Sequence, residues 1–339
     1  MEDKKNTLTA YLIIFGLIII LAICFIISFL LGRYPIHPVE LFKILISKVV
    51  YIEQTWSDKT EMILFNVRLP RIIISVLVGC CLSAAGAAYQ GIFKNPMVSP
   101  DILGSSSGAA FGAALAILMG CTNLGISLSA FCFSILTVAI VCRVSKRAKN
   151  NPILGLVLSG IMVGALFSSG TSFLKLIADP NQELPAITYW LMGSFSGVKQ
   201  ADILIAFVPM LIGLIALFLM RWKINILAIG EDEARSMGVE TKHVRLVVII
   251  GATLITAASI SVSGMIGWVG LVIPHLSRML IGCDYRKLLP TSMLMGAIFM
   301  LIVDNIARLA TTSEIPIGIL TSFIGAPFFL YLITKESDK

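Results

Sequence analysis

Arg68 and Arg71 stand three residues apart around Pro70, in the run RLPR, and a third arginine, Arg308, follows Asp304 by four residues. Helical spacing puts the first two on one face. Guanidinium groups held by a proline suit docking of carboxylates. Two plainer readings stand beside that one: arginines at span ends anchor by snorkelling, and Arg308 pairs with Asp304. A second polar group, IPHLSR, carries Pro274, His275 and Arg278. The other histidines, His37 and His243, are remote in sequence, and no cysteine or acidic cluster adjoins His275. A helix-end or loop hydrogen bond is expected there and metal ligation is not. The chemistry on offer is recognition. The chain has no GK dipeptide, hence no phosphate loop, and no HExxH. Nor does it carry the series of buried carboxylates that a proton-coupled carrier uses.

The densest charge lies in residues 223–243, KINILAIGEDEARSMGVETKH. This stretch reads as a short helix around Glu231, Ala234 and Arg235, with Gly230 and Gly238 on either side, rigid enough to be gripped from outside. The alternative is a solvated loop between two spans. A membrane protein that presents such a handle and cannot itself hydrolyse ATP is expected to be moved by a partner.

The elements that carry these groups are membrane helices. Of 339 residues, 57% are hydrophobic and 13% charged, and a bilayer core is crossed by about 20 apolar residues. Candidate spans are 10–31, 69–89, 102–120, 123–142, 152–177, 201–220, 245–264, 268–282, 288–306 and 316–334. The runs are continuous rather than alternating, which favours helices over a barrel. One all-α membrane domain of about ten helices over 1–339 is predicted, with 1–31 read as a retained first helix. With the N-terminus in the cytoplasm, most of the 26 Lys and Arg fall on inside loops. These include Lys149, Lys335 and Lys339. The net charge of +7 is then a topology signal that calls for no nucleic-acid partner. The 7 cysteines form no CxxC pair and read as small core residues. Residues 33–67 are the long outside segment, where Val39, Phe42, Leu45, Ile46 and Val49 share one side of an interfacial helix. A short surface helix is expected within 178–200.

Four spans in 68–177 and four in 245–334 begin on opposite sides, the pattern of an inverted repeat. Each set is interrupted after its first span, by KNPMVSPDILG (94–104) and by SGMIGWVGLVIP (263–274). Such breaks mark a pathway or are structural only. In the first, Asn95 and Pro96 open the turn. Ser99 as N-cap, Pro100 at the first helical position and Asp101 near the positive end start a helix at about residue 100. Gly104 and Gly108 then allow neighbouring helices to come close.

These residues resemble, over essentially the full length, the FecCD family of BtuC-like permease subunits of binding-protein-dependent ABC importers for iron–siderophore complexes, haem and vitamin B12. The matching segments are RLPR, KNPMVSPDILG, AIGEDEARSMGV, GWVGLVIPHLSR, GCDYRKLLP and DNIARLATTSEIPIGILTSFIGAPFF. Met97, Val98, Ile229 and Met237 depart from the usual pattern by apolar swaps. The resemblance implies a homodimer of ten-helix subunits in a prokaryotic cytoplasmic or inner membrane, termini inside, with the path at the dimer interface. Two ATPase subunits would bind ATP and magnesium and grip 223–243; this chain would hold no cofactor. A substrate-binding protein would dock outside on Arg68, Arg71 and Arg308. The expected activity is import by alternating access, of an iron–siderophore first, with cobalamin, haem or molybdate as alternatives. A secondary carrier without ATPase is the reading from another class.

Overall fold

The computed structural model describes the backbone of residues 2–48, 50–51, 53–147 and 152–337; Val49, Lys149 and Lys339, named above, lie outside these, as do the side chains of Lys4, Lys5 and Lys335. Two outer helices, α1 (Glu2–Leu30) and α2 (Pro38–Ser47), lead into α3 (Asp58–Ile63), a π-turn at Leu64–Arg68 and α4 (Leu69–Phe93). Then come α5 (Ser105–Leu118), α6 (Asn123–Ser145), α7 (Pro152–Ile177) and the short α8 (Glu183–Met192). The second half holds α9 (Gln200–Ile229), α10 (Glu231–Ser236), α11 (Thr241–Ser263), α12 (Val269–Ile281), α13 (Tyr285–Leu309) and α14 (Ile317–Ser337). Among the described residues, 7 helices are long and apolar enough to cross a bilayer, and three shorter apolar ones are Ser105–Leu118, Val269–Ile281 and Ile317–Tyr331. Each of the ten expected spans meets one of these. The two brief ones, α5 and α12, are short because each follows an interruption.

Burial sorts the helices. The apolar window of α1 is 11% buried, whereas that of the stretch ending in α4 is 78% buried, so α1 faces outward and α4 is the axis. Such close packing needs small residues where backbones cross. A Cβ on Gly86 would stand 1.8 Å from the Gly270 carbonyl oxygen, so α4 and α12 touch backbone to backbone. On α2, the anticipated apolar side faces outward. Val39, Phe42, Leu45 and Ile46 are exposed, while Leu41 and Ile44 are buried against Phe29, Ile36, Leu64 and Ile72. Inward anchoring and an outward apolar face together still suit an interfacial helix.

The 223–243 segment is also less of a loop than expected. Residues 223–229 are the last turns of α9, and α11 already starts at Thr241. Thirty residues carry α9 about 45 Å, well beyond a hydrocarbon core of about 30 Å, so α10 is held clear of the bilayer.

The first interruption differs from its expectation. Ser99 is extended, with φ −98° and ψ 162°, and makes no side-chain cap; Pro100–Leu103 form a single 3-10 turn. Gly104, at φ 75°, resets the chain, and α5 begins at Ser105. Asp101 accepts a hydrogen bond from the Ser106 hydroxyl and so ties the turn to the helix. The second interruption is built alike. Lys94 and Gly104 have positive φ in the first, Gly264 and Trp268 in the second. The two meet: a Cβ on Gly270 would lie 2.4 Å from the Pro100 ring.

Candidate functional site

At one end of the molecule stands α10. Its C-terminus closes with the Gly238 N–H bonding the Arg235 carbonyl and the Val239 N–H bonding the Ala234 carbonyl, both at 2.9 Å. That is a Schellman turn, with Gly238 at φ 76° where a side chain would strain the backbone. Gly230 has no such need: its φ of −171° is ordinary extended backbone. Glu231 is the brace. Its carboxylate accepts from Arg245 at 3.2 Å, Thr241 at 3.2 Å and Arg235 at 3.1 Å, binding α10 to α11. Partial burial works against the Glu231 charge, but Arg245, Thr241 and Arg235 outweigh it and hold the carboxyl below its usual range.

Ala234 requires a correction. In a helix read as gripped from outside, it is 0% exposed and packs with Val239 in the main core. A six-residue helix must bury one face to stay folded, and Ala234 is on that face. The outward groups are Asp232, Glu233, Arg235 and Ser236, together with Ile229 and Met237, which are 69% and 58% exposed. Those two apolar side chains were passed over as neutral swaps in the sequence. Their signal was position, since exposed apolar groups flanking a charged helix mark a contact surface.

At the opposite end, Arg68, Arg71 and Arg308 gather but do not project. They are 4%, 6% and 7% exposed. Arg71 Nε donates to Asp304 Oδ1 at 2.8 Å and Nη1 to Glu314 Oε2 at 2.7 Å. Arg308 Nε lies 3.2 Å from Asp304 Oδ2, as an ion contact outside hydrogen-bond geometry. Arg68 donates to the carbonyls of Phe29 and Tyr34. A buried guanidinium needs such acceptors, which removes these three from the list of free surface cations. Direct docking on them would require these pairs to open. Glu314, with its side chain 24% exposed, is the member of the group that reaches water.

The path residues divide between two places. Asn95 and Pro96 join Gln90, Lys94, Arg278 and Asp284 around a cavity of about 600 Å³ beside the end of α9. At its rim the Arg286 hydrogen bonds to Asp284 outweigh the opposing effect of partial burial and keep that carboxyl below the usual range. Asp101 and Ser106 instead line a second cavity of about 750 Å³, shared with Met265 and Gly267 of the second interruption and Ser322 and Phe323 of α14. Ser105–Ser107 lie between two glycines in a G-x-S-x-G spacing. Here that spacing opens a helix that follows a 3-10 turn, not the strand-to-helix turn that a nucleophile elbow needs. Gly104 sits over Gly160 and Gly164 of α7, and a Cβ on Gly108 would be 2.0 Å from Thr137 Oγ1. Pro274 is buried within α12, and His275 next to it is half-buried.

Gln90 was missed in the sequence. It is buried at the end of α4; its amide nitrogen donates to the carbonyls of Val98 and Leu271, at 3.3 and 3.4 Å, and its oxygen accepts from Arg278 at 2.6 Å. One side chain thus ties both interruptions together. A lone glutamine inside an apolar span was its signal, since a buried amide must find partners.

The profile of the FecCD transport family matches residues 20–335. The chain belongs to the FecCD transport family. The molybdate import system permease protein MolB of Haemophilus influenzae is 42% identical over 323 residues, which cover 95% of each chain. The cobalamin import system permease protein BtuC of Halobacterium salinarum is 38% identical over 283 residues, 83% of this chain and 76% of the relative. A solved structure described as a metal-chelate type ABC transporter in an inward-facing conformation superposes with a TM-score of 0.84 at 41% identity, covering 95% of this chain and 99% of that one. This FecCD protein is accordingly the multi-pass membrane permease subunit of an ABC importer. Its handle, broken helices and enclosed charge cluster are the parts from which its mechanism must be built.

Proposed function

We propose that this permease carries a metal chelate into the cytoplasm, an iron–siderophore complex first, by alternating access in a homodimer driven by two separate ATPase subunits. The observation that supports this is α10, a braced soluble helix at the end of the long α9 in a chain without a phosphate loop. ATP and magnesium belong to the partners. Motion of α10 reaches α11 through the Glu231 pairs and α9 through the chain at Gly230, and the two interruptions, tied by Gln90, move with them. The cavity of about 750 Å³ has few polar groups, which suits a path that leaves selection to an extracytoplasmic binding protein docking at the end that bears Glu314. The termini lie on the same side as α10, in the cytoplasm of a prokaryotic cell.

A molybdate-type oxyanion is the second reading, favoured by the 42% identity to MolB over almost the whole chain. The deciding experiment reconstitutes the permease in vesicles with the ATPase and binding protein of its own gene neighbourhood. Uptake of labelled iron chelate, cobalamin, haem and molybdate is then compared with and without ATP. ATP-dependent uptake of the iron chelate is expected. Preferential molybdate uptake would replace the cargo, and uptake by the permease alone would make it a secondary carrier.

A further inference from the structure

The end of the molecule away from α10 holds two cavities that share a wall, one of mixed lining and one apolar. One, of about 370 Å³, is bounded by the α5–α6 turn, α8 and the start of α9, and its lining includes Asn123, Ser194, Ser196, Tyr189 and Trp190. The other, of about 320 Å³, is a crevice between α6, α9 and α11 lined by Leu128, Phe131, Ile205, Ile212 and Leu254. Ser127, Asp202, Ser261 and Val262 line both, so the mixed chamber adjoins the apolar crevice. Pro209 is on the crevice wall, inside α9; having no N–H, it leaves the helix without its bond to the Ile205 carbonyl.

Depth and charge identify the occupant. From Asp202 to Ile212, α9 advances about 15 Å, half of a hydrocarbon core of about 30 Å. The crevice is therefore one leaflet deep. Asp202 is the only charged side chain lining either cavity among the described residues. One of its oxygens accepts the Lys199 N–H at 2.8 Å, which leaves the other to a ligand. A carboxylate repels an anionic headgroup and attracts an ammonium, and the faces of Tyr189 and Trp190 suit a cation as well. The hydroxyls of Ser127, Ser194 and Ser196 can donate to a phosphate, whereas that of Ser261 already donates to the Ala258 carbonyl at 3.0 Å. Aromatic residues at this level are the usual neighbours of headgroups.

We propose that the two cavities together bind one membrane lipid with an amine headgroup, of the phosphatidylethanolamine class. The ammonium sits at Asp202, the phosphate among the serines, and one acyl chain in the crevice. The site lies in the leaflet opposite α10 and is independent of the cargo and the ATPase, so its failure would leave the permease assignment intact.

The test uses the full chain in detergent, with dioleoyl phosphatidylethanolamine and dioleoyl phosphatidylglycerol as probes, which share acyl chains and differ in headgroup. Native mass spectrometry reads lipid retained per chain. The wild type should retain the ethanolamine lipid about fivefold over the glycerol lipid, the scale of a partly exposed ion pair. Asp202→Asn keeps an acceptor for the Lys199 N–H, and hence the start of α9, and should abolish the preference. Ser127→Phe, at the shared wall, should lower retention of both lipids. Thermal unfolding without lipid verifies that each variant is folded. Equal retention by the wild type, or a preference that survives Asp202→Asn, overturns the proposal. So does disulfide cross-linking of two Ser127→Cys chains, which would make the crevice a contact between copies.

Discussion

Gln90 Oε1 accepts the Arg278 guanidinium at 2.6 Å, 188 residues away in sequence, and this contact joins α4 to α12 where both broken helices converge. Removing the amide takes one hydrogen-bond partner from Arg278 and one from each of two carbonyls. Gln90→Leu should cost about 1–3 kcal/mol and should slow uptake at unchanged binding-protein affinity. Gln90→Glu, which keeps an acceptor for Arg278, should be milder. Thermal unfolding and reconstituted uptake measure both; equal stability of wild type and Gln90→Leu would show that the contact is dispensable.

The buried position of Ala234 separates two kinds of damage to the handle. Ala234→Trp forces a large ring into a filled core and should destabilise the arm by about 1–3 kcal/mol, with loss of ATPase co-purification as a consequence. Met237→Asp alters only the exposed face. It should leave the melting temperature unchanged and still weaken co-purification. If both variants retain the ATPase fully, α10 is not the grip.

Charge reversal at the arginine cluster should act on the fold first. Arg71→Glu would set a third carboxylate beside Asp304 and Glu314 in a buried site, and loss of one partner from a buried pair costs about 3–5 kcal/mol. Loss of folded protein is therefore expected, rather than a selective docking defect. Glu314→Gln is the informative substitution, because that side chain reaches water. It should leave a folded permease whose association with its binding protein is altered. Size-exclusion profiles and binding titrations separate the two outcomes.

The Glu231 brace has a definite pH signature. Its carboxyl titrates below the usual value in the folded chain, so folding favours the charged form. The stabilisation is complete above the unfolded carboxylate pKa, about 4.3, and is lost as pH falls through the lower folded value. The melting-temperature gap between wild type and Glu231→Gln should thus be flat from neutral pH down to about 5 and shrink in more acid buffer. A gap that shrinks between pH 8 and 6 would contradict the assignment.

At Gly108 there is no room for any side chain, since even a Cβ meets Thr137 at 2.0 Å. Gly108→Leu should lower thermal stability sharply through overpacking of α5 against α6. The double variant with Thr137→Gly should recover part of it.

The ten spans, the handle and both interruptions were legible because bilayer thickness dictates long apolar runs and anything else stands out against them. What was not legible depended on partners far along the chain. RLPR looks like an exposed basic pair, and only Asp304 and Glu314, brought in by α13 and its following turn, make Arg71 an interior residue. Ala234 looks like a surface position because six residues carry too little periodicity to say which face is inward. Ser99 and Pro100 have the composition of a helix start, but Pro100 is needed against Gly270, and the chain makes one 3-10 turn instead. The Gln90 node shares the first difficulty, since Leu271 and Arg278 come from far along the chain.

The contact of Gly86 with Gly270 carries a genetic consequence. Most tight contacts in proteins can be relieved by trimming the neighbour: one residue grows, the other shrinks, and lineages drift through the pair. Here the obstacle to a side chain on Gly86 is a carbonyl oxygen, and on Gly270 it is partly another, that of Leu82. Neither partner has anything left to give up. A selection for revertants of Gly86→Ala should therefore return true reversions, or changes that move whole helices, and no suppressor at position 270.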